Sequence, residues 1–447
     1  MKGLFRLESL LLGLGACLLF FLAGAAIDHY RVFPYRIVGL GFEAIESIDR
    51  NIIRPHFEDP EDTDNYYYPK RTASLGLQSH DPSRAYAGAT LFSSAYAPAA
   101  FLVGMDGKEL HRWSMPFSKA WDRPPHIEVP VPDRFICFRK TYLYPNGDLL
   151  AIYEAPGHWP YAYGLVKLDK ESNMLWKYAD LANHDLDVAL DGQIYTLVHV
   201  VRSGYEGGPE GFQRRTVVDD ALVLLTPDGQ EVKRVSILDA LARSKYAAVM
   251  LEDTKKELMH ANSVKVATAA DAANHPFVEE GQILLSLRNL SLIAVLDVPT
   301  ETITWAMRGS WEHQHTARFV DNGTIAVFDN LGHIGEGGRT RILEFDPRTG
   351  GVTWEYGGSD DRTFYTNNRG EYQYLPNGNI LITESNAGRM FEITRDKKVV
   401  WDYVVEHEVD GRVPSVFWAA RHELDALPFL AEASQASSSS AMQPDTQ

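Results

Sequence analysis

The sequence predicts an all-β protein: a six-bladed β-propeller with an N-terminal transmembrane helix. Three observations predict it. Pairs of alternating runs flank an Asn-Gly or Asp-Gly turn in TYLYPNGDLLAIY, DVALDGQIYTLV, ARFVDNGTIAVF and YQYLPNGNILIT. Such turns favour two-stranded hairpins, because their central residues accept positive φ. Next to these hairpins come second ones that close on tryptophan, as in LVKLDKESNMLWKY and ILEFDPRTGGVTWEY. Two hairpins make four strands, and four-stranded units repeated along a chain are the mark of a propeller. The third observation is the uncharged run LLLGLGACLLFFLAGAAI at residues 10–27.

That run is long enough to span a bilayer. Lys2 and Arg6 precede it, which places the N-terminus on the cytoplasmic side. The expectation is an uncleaved anchor over 1–30, single-pass in the cell inner membrane, with the body of the protein in the periplasm. A cleaved signal peptide is the alternative. A lipoprotein reading around Cys17 is weaker, because the apolar run continues well past the cysteine. Residues 31–84, which include YYYPKR, show no period and read as a neck or linker. The propeller is expected over 85–428, and the low-complexity end, 429–447, as a disordered tail.

Within 85–428, six units begin near Ala87, Lys140, His184, His260, Gln314 and Gly370. The closing tryptophans are Trp113, Trp176, Trp305, Trp354 and Trp401. The third unit lacks one and carries an excursion over 203–259 that reads as partly helical and leaves room for a seventh blade. The fourth has an insertion, ATAADAANHPF.

Bulk numbers exclude some functions. A net charge of −17 disfavours a nucleic-acid partner, which needs clustered Lys and Arg. With two cysteines, Cys17 and Cys137, there is neither a CxxC pair nor a cysteine zinc site. No P-loop is present, so a nucleotide donor held that way is not expected, nor is any other cofactor.

Hairpin symmetry singles out the candidate site. Eight residues before each turn glycine and seven after it, the two strands reach the open end of the hairpin. The pairs are Arg139 and Glu154, His184 and His199, His315 and Asn330, and Gly370 and Ser385. In the fourth unit, alignment of HANSVKV with HDLDVAL adds His260, and the forward count adds Arg288. Asn262 falls on the same side as His260, because strands have period two. If this hairpin is innermost, all these positions share one rim of the central channel.

A single histidine at a strand end is commonly a cap. Three in register, with Arg and Asn, suit chemistry better. Imidazoles with few carboxylates disfavour hard cations. A three-histidine metal site is conceivable, but Arg288 would attract a tetrahedral oxyanion instead. A neutral histidine is also a competent nucleophile. The residues thus read as sulfuryl or phosphoryl group transfer. Two alternatives stand beside it: a non-enzymatic binding or scaffold propeller, and a His-ligated metal-dependent hydrolase or lyase.

With NHDLDV (183–188), HAN (260–262), SLRN (286–289), QHTA (314–317) and FDN (328–330), the chain resembles the bacterial arylsulfotransferases over most of 87–405. Those are six-bladed propellers that work without a nucleotide sulfate donor. The resemblance implies sulfuryl transfer from a phenolic sulfate ester to a phenol, ping-pong, through a sulfohistidine. It implies His315 as nucleophile, with His260, Arg288 and His184 as further catalytic residues. Asn262, Asn330 and Arg139 are then substrate-binding positions, and Glu154 and His199 orient the set. Arg341 and His333 are candidates for the mouth. His158, Trp159, Tyr161 and Tyr163 form an aromatic loop that would stack an aryl group or simply pack a blade. The partners expected are small aryl sulfates and phenols, the membrane, and a second copy in a homodimer. The chain departs from the family in lacking a clear N-terminal β-sandwich and a cysteine pair.

Overall fold

The computed structural model describes residues 15, 18–20, 22–23, 66–155, 161–210, 212, 216–251, 257–330, 339–358 and 364–431. The chain divides into two units, Met1–Asp62 and Thr63–Gln447. In the first, the described residues are helical. The expected membrane-spanning stretch lies mostly outside the described residues. Among those described, no helix is long and apolar enough to cross a membrane.

The second unit is the six-bladed propeller. Its strands, in chain order, begin with β1 (Tyr67–Pro69) and β2 (Gly76–His80). Blade 1 holds β3 (Ala89–Ser94), β4 (Ala99–Gly104) and β5 (Glu109–Ser114). Blade 2 is β6 (Cys137–Leu143), β7 (Leu149–Glu154), β8 (Ala162–Leu168) and β9 (Met174–Tyr178). Blade 3 is β10 (Ala182–Val188), β11 (Ile194–Ser203), β12 (Thr216–Leu225) and β13 (Glu231–Ser236). Blade 4 is β14 (Ala261–Val266), β15 (Ile283–Leu287), β16 (Leu292–Asp297) and β17 (Thr302–Arg308). Blade 5 is β18 (His315–Phe319), β19 (Ile325–Asp329), β20 (Arg341–Phe345) and β21 (Val352–Tyr356). Blade 6 is β22 (Glu371–Tyr374), β23 (Ile380–Glu384), β24 (Arg389–Ile393) and β25 (Val399–Val404). Last come β26 (Arg412–Pro414) and β27 (Val416–His422).

The ring closes by exchange of ends. β27 pairs antiparallel with β3, Val416 opposite Ser94 and His422 opposite Ala89, and so supplies the innermost strand of blade 1. The unit beginning near Ala87 therefore contributes only three strands to its own blade.

Two further boundaries differ from the sequence reading. Within the expected neck, β1 pairs with β26 and β2 joins the outer edge of blade 6. Neither strand shows alternation, because their partners, not their own pattern, specify them. At the other end, Phe429 is buried against Trp113, so the fold runs past the expected start of the tail; residues 432–447 lie outside the described set.

Four of the recurring tryptophans tie their blade to a turn of the next. Trp113 Nε1 donates to Gly147 O at 2.9 Å, Trp176 Nε1 to Pro227 O at 3.2 Å, and Trp401 Nε1 to Met105 O at 3.1 Å. Trp354 lies under the Arg395 guanidinium at 4.3 Å. Blade 3 has no tryptophan, and there Lys233 Nζ reaches Val298 O at 2.8 Å instead. The excursion of unit 3 holds no seventh blade among the described residues. It supplies β12 and β13, then the short helix Ile237–Ala242, capped by Ser236.

Candidate active site

The first strand of each sequential blade, β6, β10, β14, β18 and β22, lines the channel together with β27. Four of these five strands, and β27, carry a register irregularity at the rim end. It falls between Phe138 and Lys140, Asn183 and Leu186, Ala261 and Ser263, His315 and Ala317, and Val416 and Trp418. Bulges of this kind re-aim a side chain without ending the strand. His184, His260, His313, Thr316 and Arg369 all have positive φ, between 45° and 64°. So many non-glycine residues in this region at one rim is a concentration of backbone strain, as functional sites show. Blade 6 carries no side chain in this slot: a Cβ on Gly370 would meet the Phe328 ring at 2.2 Å.

His315 is buried and fixed on both nitrogens. Its Nδ1 lies 2.7 Å from Asn330 Oδ1. Asn330 Nδ2 donates to Thr366 O at 2.8 Å and Arg369 O at 2.7 Å, which turns its oxygen toward the ring. Nδ1 must then carry the proton, and Nε2 keeps its lone pair. The Arg369 amide donates to Nε2 at 3.2 Å, which agrees with this tautomer. Burial, then the Arg288 and Arg139 charges, hold the ring well below the usual histidine range. It stays neutral.

His184 is likewise driven well below that range, by burial and then by His260 and Arg139. Its Nδ1 is 2.7 Å from Asn183 Oδ1. Its ring centroid stands 4.6 Å from that of His260 and 5.8 Å from that of His199. His199 Nδ1 lies 2.9 Å from Asp220 Oδ1. Burial depresses its pKa, but the Asp220 hydrogen bond and charge outweigh that and raise it. His260 Nδ1 lies 2.7 Å from Glu257 Oε1. Burial pushes the Glu257 carboxyl up, yet the charge and bond of His260, then His199 and Arg288, bring it down to about 2.

Arg288 follows β15 in a short 3-10 turn. Its Nη1 donates to Asn289 Oδ1 at 3.1 Å and its Nη2 to His313 Nδ1 at 3.0 Å, while its buried Nε has no partner. Asn262 Nδ2 donates to Gln314 O at 2.9 Å, and its buried Oδ1 is unpartnered. Arg139 pairs with Glu154 at 3.0 Å; Glu154 also accepts from Tyr66 Oη at 2.6 Å. Arg369 lies 4.2 Å over the Tyr66 ring.

The structure therefore brings His315, His260, His184, Arg288, Asn262, Asn330 and Arg139 to one rim. Hairpin counting found the right neighbours, although bulges displace the register: His315 pairs along the backbone with Phe328, while its ring reaches Asn330. Among the outlying candidates, Tyr163 is core, accepting from Val131 N at 3.1 Å and packing on Phe117. Arg341 is tied to Asp329 at 2.8 Å, to Glu355 and to Ser310 O, so it belongs to blade 5 and not to the mouth. Tyr161 is 40 % exposed and feels the charges of Glu257, Glu154 and Arg369, as a residue at the mouth would. His158, Trp159 and His333 lie outside the described residues.

Sequence reasoning missed Glu257, His313, Arg369, Asp220 and Tyr66. Only His313 carried a signal, its position two residues before His315 in HQH.

One to three residues deeper along the same strands, charges cross the channel. Lys140 Nζ lies 2.9 Å from Asp185 and 3.3 Å from Glu371; Arg318 Nη2 lies 3.4 Å from Glu371 and 3.9 Å from Asp185. Ser263 Oγ accepts from Arg318 Nη1 at 3.2 Å. These contacts join blades 2, 3, 4, 5 and 6 beneath the rim.

No curated protein matches the chain. Among solved structures, a protein of unknown function from Bacteroides caccae is similar at 11% identity and TM-score 0.47, over 74% of this chain and 99% of that one. A streptogramin B lyase is similar at 14% identity and TM-score 0.38, over 76% and 87%. Virginiamycin B lyase from Staphylococcus aureus follows at 8% identity and TM-score 0.40, over 77% and 88%. The family model described as arylsulfotransferase (ASST) matches residues 141–406, from β6 through the end of blade 6 and so around nearly all of the rim set. With more than half its length matched, the chain belongs to the arylsulfotransferase family.

Proposed function

We propose that this protein transfers a sulfuryl group from a phenolic sulfate ester to a phenolic acceptor, by a ping-pong route through a sulfohistidine at His315. The observation that carries the reading is the bond between His315 Nδ1 and Asn330 Oδ1 at 2.7 Å, which leaves Nε2 unprotonated in a buried, electropositive pocket. Family membership supports the same chemistry.

Each step has a residue. His315 Nε2 attacks sulfur, and the bond from sulfur to the aryl oxygen breaks. The Arg369 amide now facing Nε2 yields to sulfur and meets a sulfuryl oxygen. Arg288, with its unpartnered Nε, and the second proton of Asn262 Nδ2, the first being held by Gln314 O, stabilise charge gathering on the sulfuryl oxygens. His260 gives a proton to the departing phenolate. The phenolic acceptor then loses its proton to His260 and attacks sulfur, and His315 is released neutral. Positive charge on the sulfated ring is shared with Asn330 Oδ1. Burial, with Arg139 among the neighbouring charges, keeps His315 and the His184 ring beside His260 neutral.

The test is intact-mass measurement after mixing the protein with a chromogenic aryl sulfate. Gain of one sulfuryl group, mapped to His315 and absent in His315→Ala, is the expected result. Phenol release without any adduct on folded protein overturns the covalent route.

The same reading has residues 10–27 holding the chain in the inner membrane with the propeller in the periplasm. Its support is the uncharged run behind Lys2 and Arg6. Fractionation and protease accessibility of intact spheroplasts test it; a propeller protected from external protease overturns it.

A further inference from the structure

Glu257 has no part in the scheme above, yet it is built into the site. Its Oε1 lies 2.7 Å from His260 Nδ1. Its carbonyl accepts from Asn289 Nδ2 at 2.7 Å, and the same Asn289 holds Arg288 through Oδ1. Its backbone also bridges to Val218 of blade 3. One asparagine thus holds both Arg288 and the backbone that carries this carboxylate. The other carboxylates described at the rim are engaged elsewhere. Glu154 holds Tyr66 and Arg139, and Asp220 holds His199 and the Ala261 amide.

We infer that Glu257 is the positioning residue for proton transfer: it holds His260 by Nδ1 so that Nε2–H faces the leaving oxygen. This role rests on the group-transfer reading above. The groups around His260 are mostly cationic or neutral: Arg288, His184, His199 and His315, with Glu257 as the adjoining anion. With Nδ1 held by that carboxylate, the proton His260 gives up is the one on Nε2. When the bond from sulfur to the aryl oxygen breaks, the electron pair goes to oxygen, and His260 Nε2–H supplies its proton. His260 recovers a proton when the acceptor hydroxyl attacks. The carboxylate stays ionised throughout, as the orienting carboxylate of a catalytic dyad does.

The consequence is a dependence on the leaving group. A nitrophenolate leaves with little help from an acid; an unsubstituted phenolate needs one. In the full-length protein, Glu257→Gln is expected to slow transfer from phenyl sulfate by about 10²-fold, in the range of general-acid contributions. In the first half-reaction, formation of the His315 adduct from 4-nitrophenyl sulfate should change little, while its formation from phenyl sulfate falls by that factor. Equal losses with both donors, in a variant whose thermal unfolding is unchanged, overturn the role. A second readout needs no turnover. The proton shared by Nδ1 and the carboxylate should give a far-downfield resonance in wild type that is lost in Glu257→Ala. Its absence from wild type also overturns the role. If wild type transfers from neither donor while the resonance is present, the group-transfer reading fails instead, and this role with it.

Discussion

Asn330 Oδ1 accepts the Nδ1 proton of His315 at 2.7 Å, while both protons of its own amide are spent on the carbonyls of Thr366 and Arg369. The asparagine therefore cannot rotate without losing two bonds, and the imidazole cannot change tautomer without losing a third. Asn330→Ala frees the ring and lets the proton move to Nε2. Formation of the sulfuryl adduct should fall by up to about 10⁴-fold, the loss that follows when a catalytic histidine loses the partner that fixes its tautomer. Quenched-flow mass measurement on the variant checks this. An unchanged rate would mean that Asn330 only packs.

The neutral state of His315 has a consequence for pH. Burial and the Arg288 and Arg139 charges hold the ring well below the usual range, so acid should not silence the nucleophile near pH 6.5. Adduct formation from 4-nitrophenyl sulfate should persist at about pH 5. Arg288→Met removes the neighbouring charge that acts most strongly on the ring. The acid limb of the adduct-forming rate should then move upward, toward the ordinary value, alongside a loss of about 10²–10³-fold from the missing oxyanion donor. Arg288→Lys should restore the limb but little of the rate, because an ammonium lacks the planar fork.

Stability carries the same sign. His184 has a folded pKa depressed below the unfolded value, so the unfolded chain takes up the proton first. Its contribution is full above about pH 6.5 and is lost as pH falls below that value, with a slope of at most about 1.4 kcal/mol per pH unit for one proton. Asp219, raised to about 6 chiefly by burial, acts in the opposite direction. The clean measurement is thus the difference between wild type and His184→Gln in urea unfolding at two pH values. The gap should narrow, or reverse in favour of the variant, as the solution is acidified.

Beneath the rim, Lys140 stands between Asp185 and Glu371, and all three are buried. Lys140→Met leaves two carboxylates beside a single remaining cation, Arg318. The expected loss is about 3–5 kcal/mol, as for a buried pair with one partner removed. Denaturant unfolding measures it. Lys265→Met, which breaks a more exposed pair with Asp187, should cost about 1 kcal/mol or less.

The repeat was legible because its signals are local. Asn-Gly at 146–147, 322–323 and 377–378 marks a turn whatever surrounds it, and the tryptophans mark a position that must reach the next blade. The rim histidines were legible for a related reason, since a hairpin keeps count from its turn. Bulges at His184 and Thr316 disturb the count by a residue or two without moving the side chains from the rim. Glu257 was not legible. It lies three residues before His260, at the end of an excursion with no period, and its carboxylate reaches Nδ1 through the positive-φ turn at His260, which no pattern in the sequence marks. Tyr66 and Arg369 are hidden because they meet only in the fold: β1, which follows Tyr66, pairs with β26 far along the chain, and Arg369 lies over the Tyr66 ring. Blade 1 was misread because its innermost strand comes from the far end of the chain, and no local pattern records that.

That last arrangement also sets a schedule. A ribosome delivers β3 about three hundred residues before β27, since they begin at Ala89 and Val416. Until then, the inner edge of β3, running through Leu91 and Phe92, has nothing to pair with. Unpaired edges of this kind invite pairing with other chains. The nascent protein must keep that edge sheltered through the synthesis of five further blades. Any chain that stops before Val416 leaves the ring open. Its channel strands then lack the last of the six neighbours that hold the rim in register, even though every rim histidine has already been made.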